Sequence, residues 1–215
     1  MKKYGPFLLI TVVLILSVIA IVMLVRSGSE TATFTGGTPE PGPKPPAKTT
    51  VTLEEFGDYQ CPPCGLLHPT LKSLKSEFGV NLNFIFRNLP LINLHKNAML
   101  AAQTAEAARV QSRFWEMHDL LYENQKLWSE EADPKPIFLK FARDLGLDTA
   151  RFERDLNSAE VKMRIQADQD AAAKQGITGT PTVLIDGRRL RVEATNPDGI
   201  RKIIEVMTPK PQPAP

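Results

Sequence analysis

Both cysteines of the 215-residue chain stand two residues apart in one stretch, EFGDYQCPPCGLLHP, Glu55 to Pro69. Ahead of them, TVTLEEFGDY is rich in β-branched and aromatic residues and reads as a strand. Behind them, Leu67, Leu71, Leu74 and Phe78 recur at helical spacing. A strand therefore runs into Cys-x-x-Cys, and the motif opens a helix. The first turn of a helix carries unpaired N–H groups and the positive end of the helix dipole, and both stabilise a thiolate. The thiolate is the species that attacks disulfides, so a lowered pKa means reactivity near neutral pH. Cys61 falls at the cap and is expected to be the more exposed and first-attacking sulfur. Cys64 lies one turn on, on the same helix face, placed to resolve a mixed disulfide. Pro62 suits the first helical position, where its missing N–H costs nothing. Pro63 removes another N–H from the vicinity of Cys61, which predicts a milder pKa depression and a less oxidising disulfide.

The rest of the folded unit, Thr50 to Thr208, alternates strands with helices. NLNFIFRNLPL reads as a second strand. A long helical section of about 92–175 follows, in which PIFLKFARDLG stops at Gly146, DTARFERDLNS starts at a capping Asp148, and the last helix ends at Gly176. TPTVLIDGRRL is a strand leading into a turn, and NPDGIRKIIEVM is a helix capped at Asn196 or Asp198. The order is that of an α/β fold with a helical insertion. Phe114, Trp115, Tyr122 and Trp128 are expected to form the core of the insertion, and His68, His95 and His118 to be helix residues. Of the adjacent Glu54 and Glu55, strand alternation turns one inward and the other toward solvent or a facing layer.

Before the folded unit, Phe7–Val25 holds nineteen residues without a charge. As a helix it would span about 28 Å, close to the hydrocarbon thickness of a bilayer. It exceeds the apolar region of a cleaved signal and predicts an uncleaved transmembrane signal-anchor within 1–26. Lys2 and Lys3 precede it, which leaves the N-terminus in the cytoplasm and exports the remainder. Residues 27–49, rich in Thr, Gly and Pro, predict an extended linker, and 209–215 a disordered tail. The two cysteines then face an oxidising compartment. Hydrophobic residues make up 42% and the net charge is +2 with no basic run, a composition that argues against nucleic-acid binding.

With CPPC after a strand and Pro69 five residues past Cys64, the chain resembles the thioredoxin superfamily. GTPTVLIDG looks like that superfamily's cis-proline loop, and the helical block resembles the insertion of its DsbA-like branch. The resemblance covers Thr50 to about Met207. It implies a thioredoxin fold with a helical insertion, preceded by one N-terminal transmembrane helix, in a thiol:disulfide oxidoreductase that needs no cofactor or metal. Cys61 and Cys64 would form the redox disulfide. Glu55, six residues before Cys61, matches the buried acidic position that relays a proton to or from the resolving cysteine. Thr180–Pro181 would be the cis bond and line the substrate groove. The implied setting is the bacterial cytoplasmic membrane, with the catalytic domain on the periplasmic side. Its partners would be exported proteins bearing thiols or disulfides, and an unidentified redox protein that recycles the dithiol. Protein dithiol oxidation is the expected direction, with reduction or isomerisation as the alternative. From another class, Cys61, Cys64 and His68, with His95 or His118, could serve a copper-binding or chaperone module.

Overall fold

A computed structural model describes residues 50–191 and 194–208. The anchor, linker and tail expected at 1–26, 27–49 and 209–215 lie outside these residues. Strand β1 (Val51–Gly57) leads through the dithiol loop into helix α1 (Pro62–Phe78), and a 3-10 turn at Gly79–Asn81 returns the chain as β2 (Leu82–Asn88). Six helices follow: α2 (Ala98–Arg109), α3 (Phe114–Glu123), α4 (Gln125–Trp128), α5 (Lys135–Asp144), α6 (Thr149–Asp155) and α7 (Ala159–Lys174). A short hairpin, β3 (Thr182–Ile185) and β4 (Arg188–Arg189), and helix α8 (Pro197–Met207) complete the unit. The sheet order is β2-β1-β3-β4, with β1 parallel to β2 and antiparallel to β3.

The local signals act where expected. Asp148 caps α6 by accepting from Arg151 N, and Asn196, rather than Asp198, caps α8 by accepting from Gly199 N. The long helical section begins later than its composition suggests: Leu91–Asn97 forms turns, and α2 starts at Ala98. His95 therefore sits in a loop rather than a helix. The final strand is a hairpin whose turn holds Asp186 and Gly187 at positive φ.

Three apolar clusters organise the layers. Val51, Leu53, Val183 and Ile185 of the sheet meet Leu67, Leu71 and Leu74 of α1 and Ile200 and Ile204 of α8. On the opposite sheet face, Phe56 and Leu184 meet Ala172 and Ile177. The third and largest cluster fills the insertion, where Trp128, Phe138, Phe152 and Met117 are fully buried. Cys64 and Tyr59 belong to this cluster, so the insertion packs directly onto the dithiol. Phe114, Tyr122 and Trp128 lie in the core as their spacing suggests. Trp115 differs: it is only partly buried, and the Lys75 ammonium lies 3.5 Å from its ring centroid.

Candidate active site

Strand alternation puts Glu54 and Glu55 on opposite faces of β1. Glu55 shares the face of Val51 and Leu53, the face covered by α1, and is 1% exposed. Glu54 takes the other face and accepts from Arg87 Nε at 2.7 Å, while Arg87 also reaches Asp168 of α7 at 3.2 Å. The buried carboxylate is thus Glu55, and Glu54 belongs to an ion-pair network on the facing layer. Glu55 Oε1 and the Tyr122 hydroxyl are both buried without a hydrogen-bond partner among the described residues. Burial, reinforced by the charge of Cys61, raises the Glu55 pKa from 4.5 to about 8.

Cys61 occupies the N-cap of α1 in extended conformation, with Pro62 and Pro63 at the first helical positions. Its own N–H donates to Asp58 O at 3.0 Å, and its carbonyl accepts the first helical bond from Gly65 N at 3.2 Å. Both cysteines are free thiols. Cys61 is the more exposed of the two, as its cap position suggests, but both are largely covered: Cys61 is 5% exposed and Cys64 0%. The covering groups are the insertion on one side and the Thr178–Thr182 loop on the other. Within that loop Thr180–Pro181 is a cis bond, and the Cys61 Sγ donates to Thr180 O at 3.5 Å.

The two thiols are driven apart in acidity. Donation from the Cys64 thiol lowers the Cys61 pKa from 9.0 to about 6; burial opposes this, while the Thr180 hydroxyl and the Cys64 N–H assist. That value lies between the ~7 typical of thioredoxin and the ~3.5 of DsbA. The thiol of Cys64 moves far upward because of burial, its bond to the Cys61 thiolate and the charge of Glu55. At neutral pH the pair therefore holds one proton, on Cys64.

Several supports of the loop carry no signature in the sequence. Buried Asp58 accepts from Gln60 N at 2.8 Å, Leu91 N at 2.9 Å and bonds His95 Nδ1 at 2.7 Å. Gln60 accepts from Asn97 N at 2.7 Å and donates to Ser129 O at 2.6 Å. Gln125 of α4 donates to the carbonyls of Tyr59 at 2.7 Å and Cys61 at 3.0 Å. A hollow of about 460 Å³ opens beside the dithiol, bordered by Pro63, Leu66, Thr70, Thr180, Pro181 and Pro197. Leu66 on its rim is 82% exposed. For a metal, the geometry assembles a different set from the one that the Cys-x-x-Cys-x-x-x-His spacing suggests. Among the described residues, three ligand atoms converge only at His68, His118 and Asp119, without either cysteine.

Fold and site together define a thioredoxin-fold dithiol protein. Residues 46–206 match the thioredoxin family. The thioredoxin-like oxidoreductase of Silicibacter pomeroyi DSS-3 is 26% identical, covers 72% of this chain and 87% of its own, and superposes with a TM-score of 0.57. DsbA2 of Pseudomonas aeruginosa is 25% identical, covers 75% of this chain and 90% of its own, with a TM-score of 0.56. A protein of Salinispora arenicola named Na(+)/H(+) antiporter NhaA 1 is 40% identical over 144 residues, 67% of this chain. The match spans only 21% of that antiporter, so the chain covers about a fifth of such relatives. The chain belongs to the thioredoxin family and shares its fold with DsbA proteins.

Proposed function

We propose that the chain oxidises dithiols of exported proteins to disulfides through a Cys61–Cys64 disulfide. The observation that carries this reading is the acidity gap within the pair: a Cys61 thiol near 6 beside a Cys64 thiol held protonated by burial. A client thiolate attacks Cys61 Sγ of the disulfide, the S–S bond breaks, and Cys64 leaves with the electron pair. Cys64 is buried and cannot remain ionised, so it takes a proton, and Glu55, protonated below about 8, is the donor. A second client thiolate attacks the client sulfur of the mixed disulfide and expels Cys61 as a stable thiolate. The client is oxidised by two electrons and the chain is left as a dithiol. Thr180 and Pro181 border the hollow beside Cys61 and would hold the client as an extended segment.

An unidentified redox protein would restore the disulfide. We place the domain on the extracytoplasmic side of the bacterial cytoplasmic membrane, tethered through Phe7–Val25. No helix of the described residues is long and apolar enough to cross a membrane, and that run lies outside them. Support comes from the uncharged run itself and from the names of relatives, called ion antiporters, that match this chain over 144 residues.

Equilibration with glutathione tests the direction. A potential near about −120 mV supports an oxidant, and one near about −270 mV replaces that reading with a reductant. Cys61→Ser should abolish disulfide transfer to a reduced, unfolded client, and retention of transfer would remove Cys61 from the mechanism.

A further inference from the structure

Away from the dithiol, α1 and α3 bring together a group of side chains that thiol exchange does not use. His68, one turn beyond Cys64 on α1, is 4% exposed, and its Nε2 has no hydrogen-bond partner among the described residues. It points at the carboxylates of α3, with Asp119 Oδ1 at 3.5 Å and Glu123 Oε1 at 4.0 Å. His118 stands beside it, the two ring centroids 5.2 Å apart. One ligand atom from each of His68, His118 and Asp119 falls within 4.8 Å of the others.

From this geometry we infer a binding site for a divalent transition-metal ion of the zinc class, formed by His68, His118 and Asp119, with Glu123 at its rim. The chemistry of the donors fits. Two imidazoles and a carboxylate suit such an ion, and a three-residue set leaves a position for water. The orientation of His118 fits as well. Its Nδ1 lies 3.0 Å from the Tyr59 hydroxyl, so an Nδ1–H donated to that oxygen leaves Nε2 as a lone-pair donor. A surface hollow of about 490 Å³, lined in part by His68, Lys72 and Glu123, gives an entry path.

A cation already uses the two carboxylates. Lys72 Nζ lies 2.9 Å from Asp119 Oδ2 and 2.6 Å from Glu123 Oε1. Lys72 is 48% exposed and has a flexible stem, so its ammonium can withdraw to solvent when a doubly charged ion arrives. Metal and Lys72 therefore compete, and this competition separates the site from any thiol-based one. Bound metal would clamp the dithiol helix α1 to α3 of the insertion, independently of the redox direction.

The test uses the full-length chain in its disulfide form, in which neither sulfur can ligate zinc. Equilibrium dialysis against zinc chloride should retain one zinc per chain and raise the thermal midpoint by a few degrees. His68→Gln and Asp119→Asn should each weaken zinc binding about tenfold or more, and Lys72→Met should strengthen it several-fold. A Cys61→Ser/Cys64→Ser chain should bind as the disulfide form does. The inference falls if zinc is held only by the reduced wild-type chain, or if His68→Gln binds undiminished. Should His68→Gln fail to fold without metal, Lys72→Met decides alone: unchanged or weaker binding there overturns the site.

Discussion

At the residue scale, reactivity rests on how differently two sulfurs three positions apart are solvated. Cys61 sits where a helix presents its N–H groups, while Cys64 lies in the core of the insertion. Alkylation of the reduced chain should follow a titration with a midpoint of about 6 for Cys61. A midpoint near the ~8.5 of an ordinary thiol would count against the mechanism. Glu55 gives a second pH signature. Its folded pKa of about 8 exceeds the 4.5 of an unfolded chain, so the native state retains a proton that the unfolded state has lost. The stability this group allows is fully present below about 4.5 and is lost as pH rises through about 8. Glu55→Gln should remove that loss. Urea unfolding of the disulfide form, where Cys61 does not titrate, should show the variant gaining on wild type by a few kcal/mol between pH 5 and 9 (about 1.4 kcal/mol per pKa unit). Parallel curves for the two proteins would mean that Glu55 is solvated.

At the element scale, the dithiol loop is held by groups brought in from the insertion. Gln125 satisfies two loop carbonyls, and its amide also limits the helix below, because a Cβ added at Gly65 would lie 2.7 Å from Gln125 Oε1. Gln125→Ala leaves those carbonyls without their donor and should cost about 1–3 kcal/mol of stability, read as a lower urea midpoint. Gly57, at the end of β1, has less room to adjust. A Cβ there would lie 2.4 Å from Phe86 Cε2 and 2.9 Å from the Tyr122 hydroxyl. Gly57→Ala should destabilise the chain by about 1–3 kcal/mol through overpacking, measured by the same method, and an unchanged midpoint would show that Phe86 relaxes freely.

On the scale of the whole molecule, the insertion forms the largest apolar cluster and covers one side of the dithiol. The hollow bordered by Pro63, Leu66, Thr180 and Pro181 opens beside the dithiol, and it is where the proposed client would approach. The proposed membrane attachment through Phe7–Val25 is tested on the full chain. Expressed intact in a bacterium, it should sediment with membranes and resist extraction by high salt, whereas a chain starting at Thr50 should remain in the soluble fraction. Solubility of the intact chain would remove the anchor.

Sequence alone determined whatever depends on neighbours along the chain. The strand-to-helix junction at Cys61, the caps at Asp148 and Asn196, and the opposite orientations of Glu54 and Glu55 all follow from bonds and periodicities spanning a few residues. Tertiary structure alone decided which sheet face α1 covers, and hence which of the two glutamates is buried. It likewise decided that Cys61 is largely covered, that His95 serves Asp58, that Gln125 holds the loop, and that His68 meets His118 and Asp119. These partners stand tens of positions apart in the chain. Polar side chains at such separations leave no periodic trace, and only the close packing of the insertion against α1 brings them within reach.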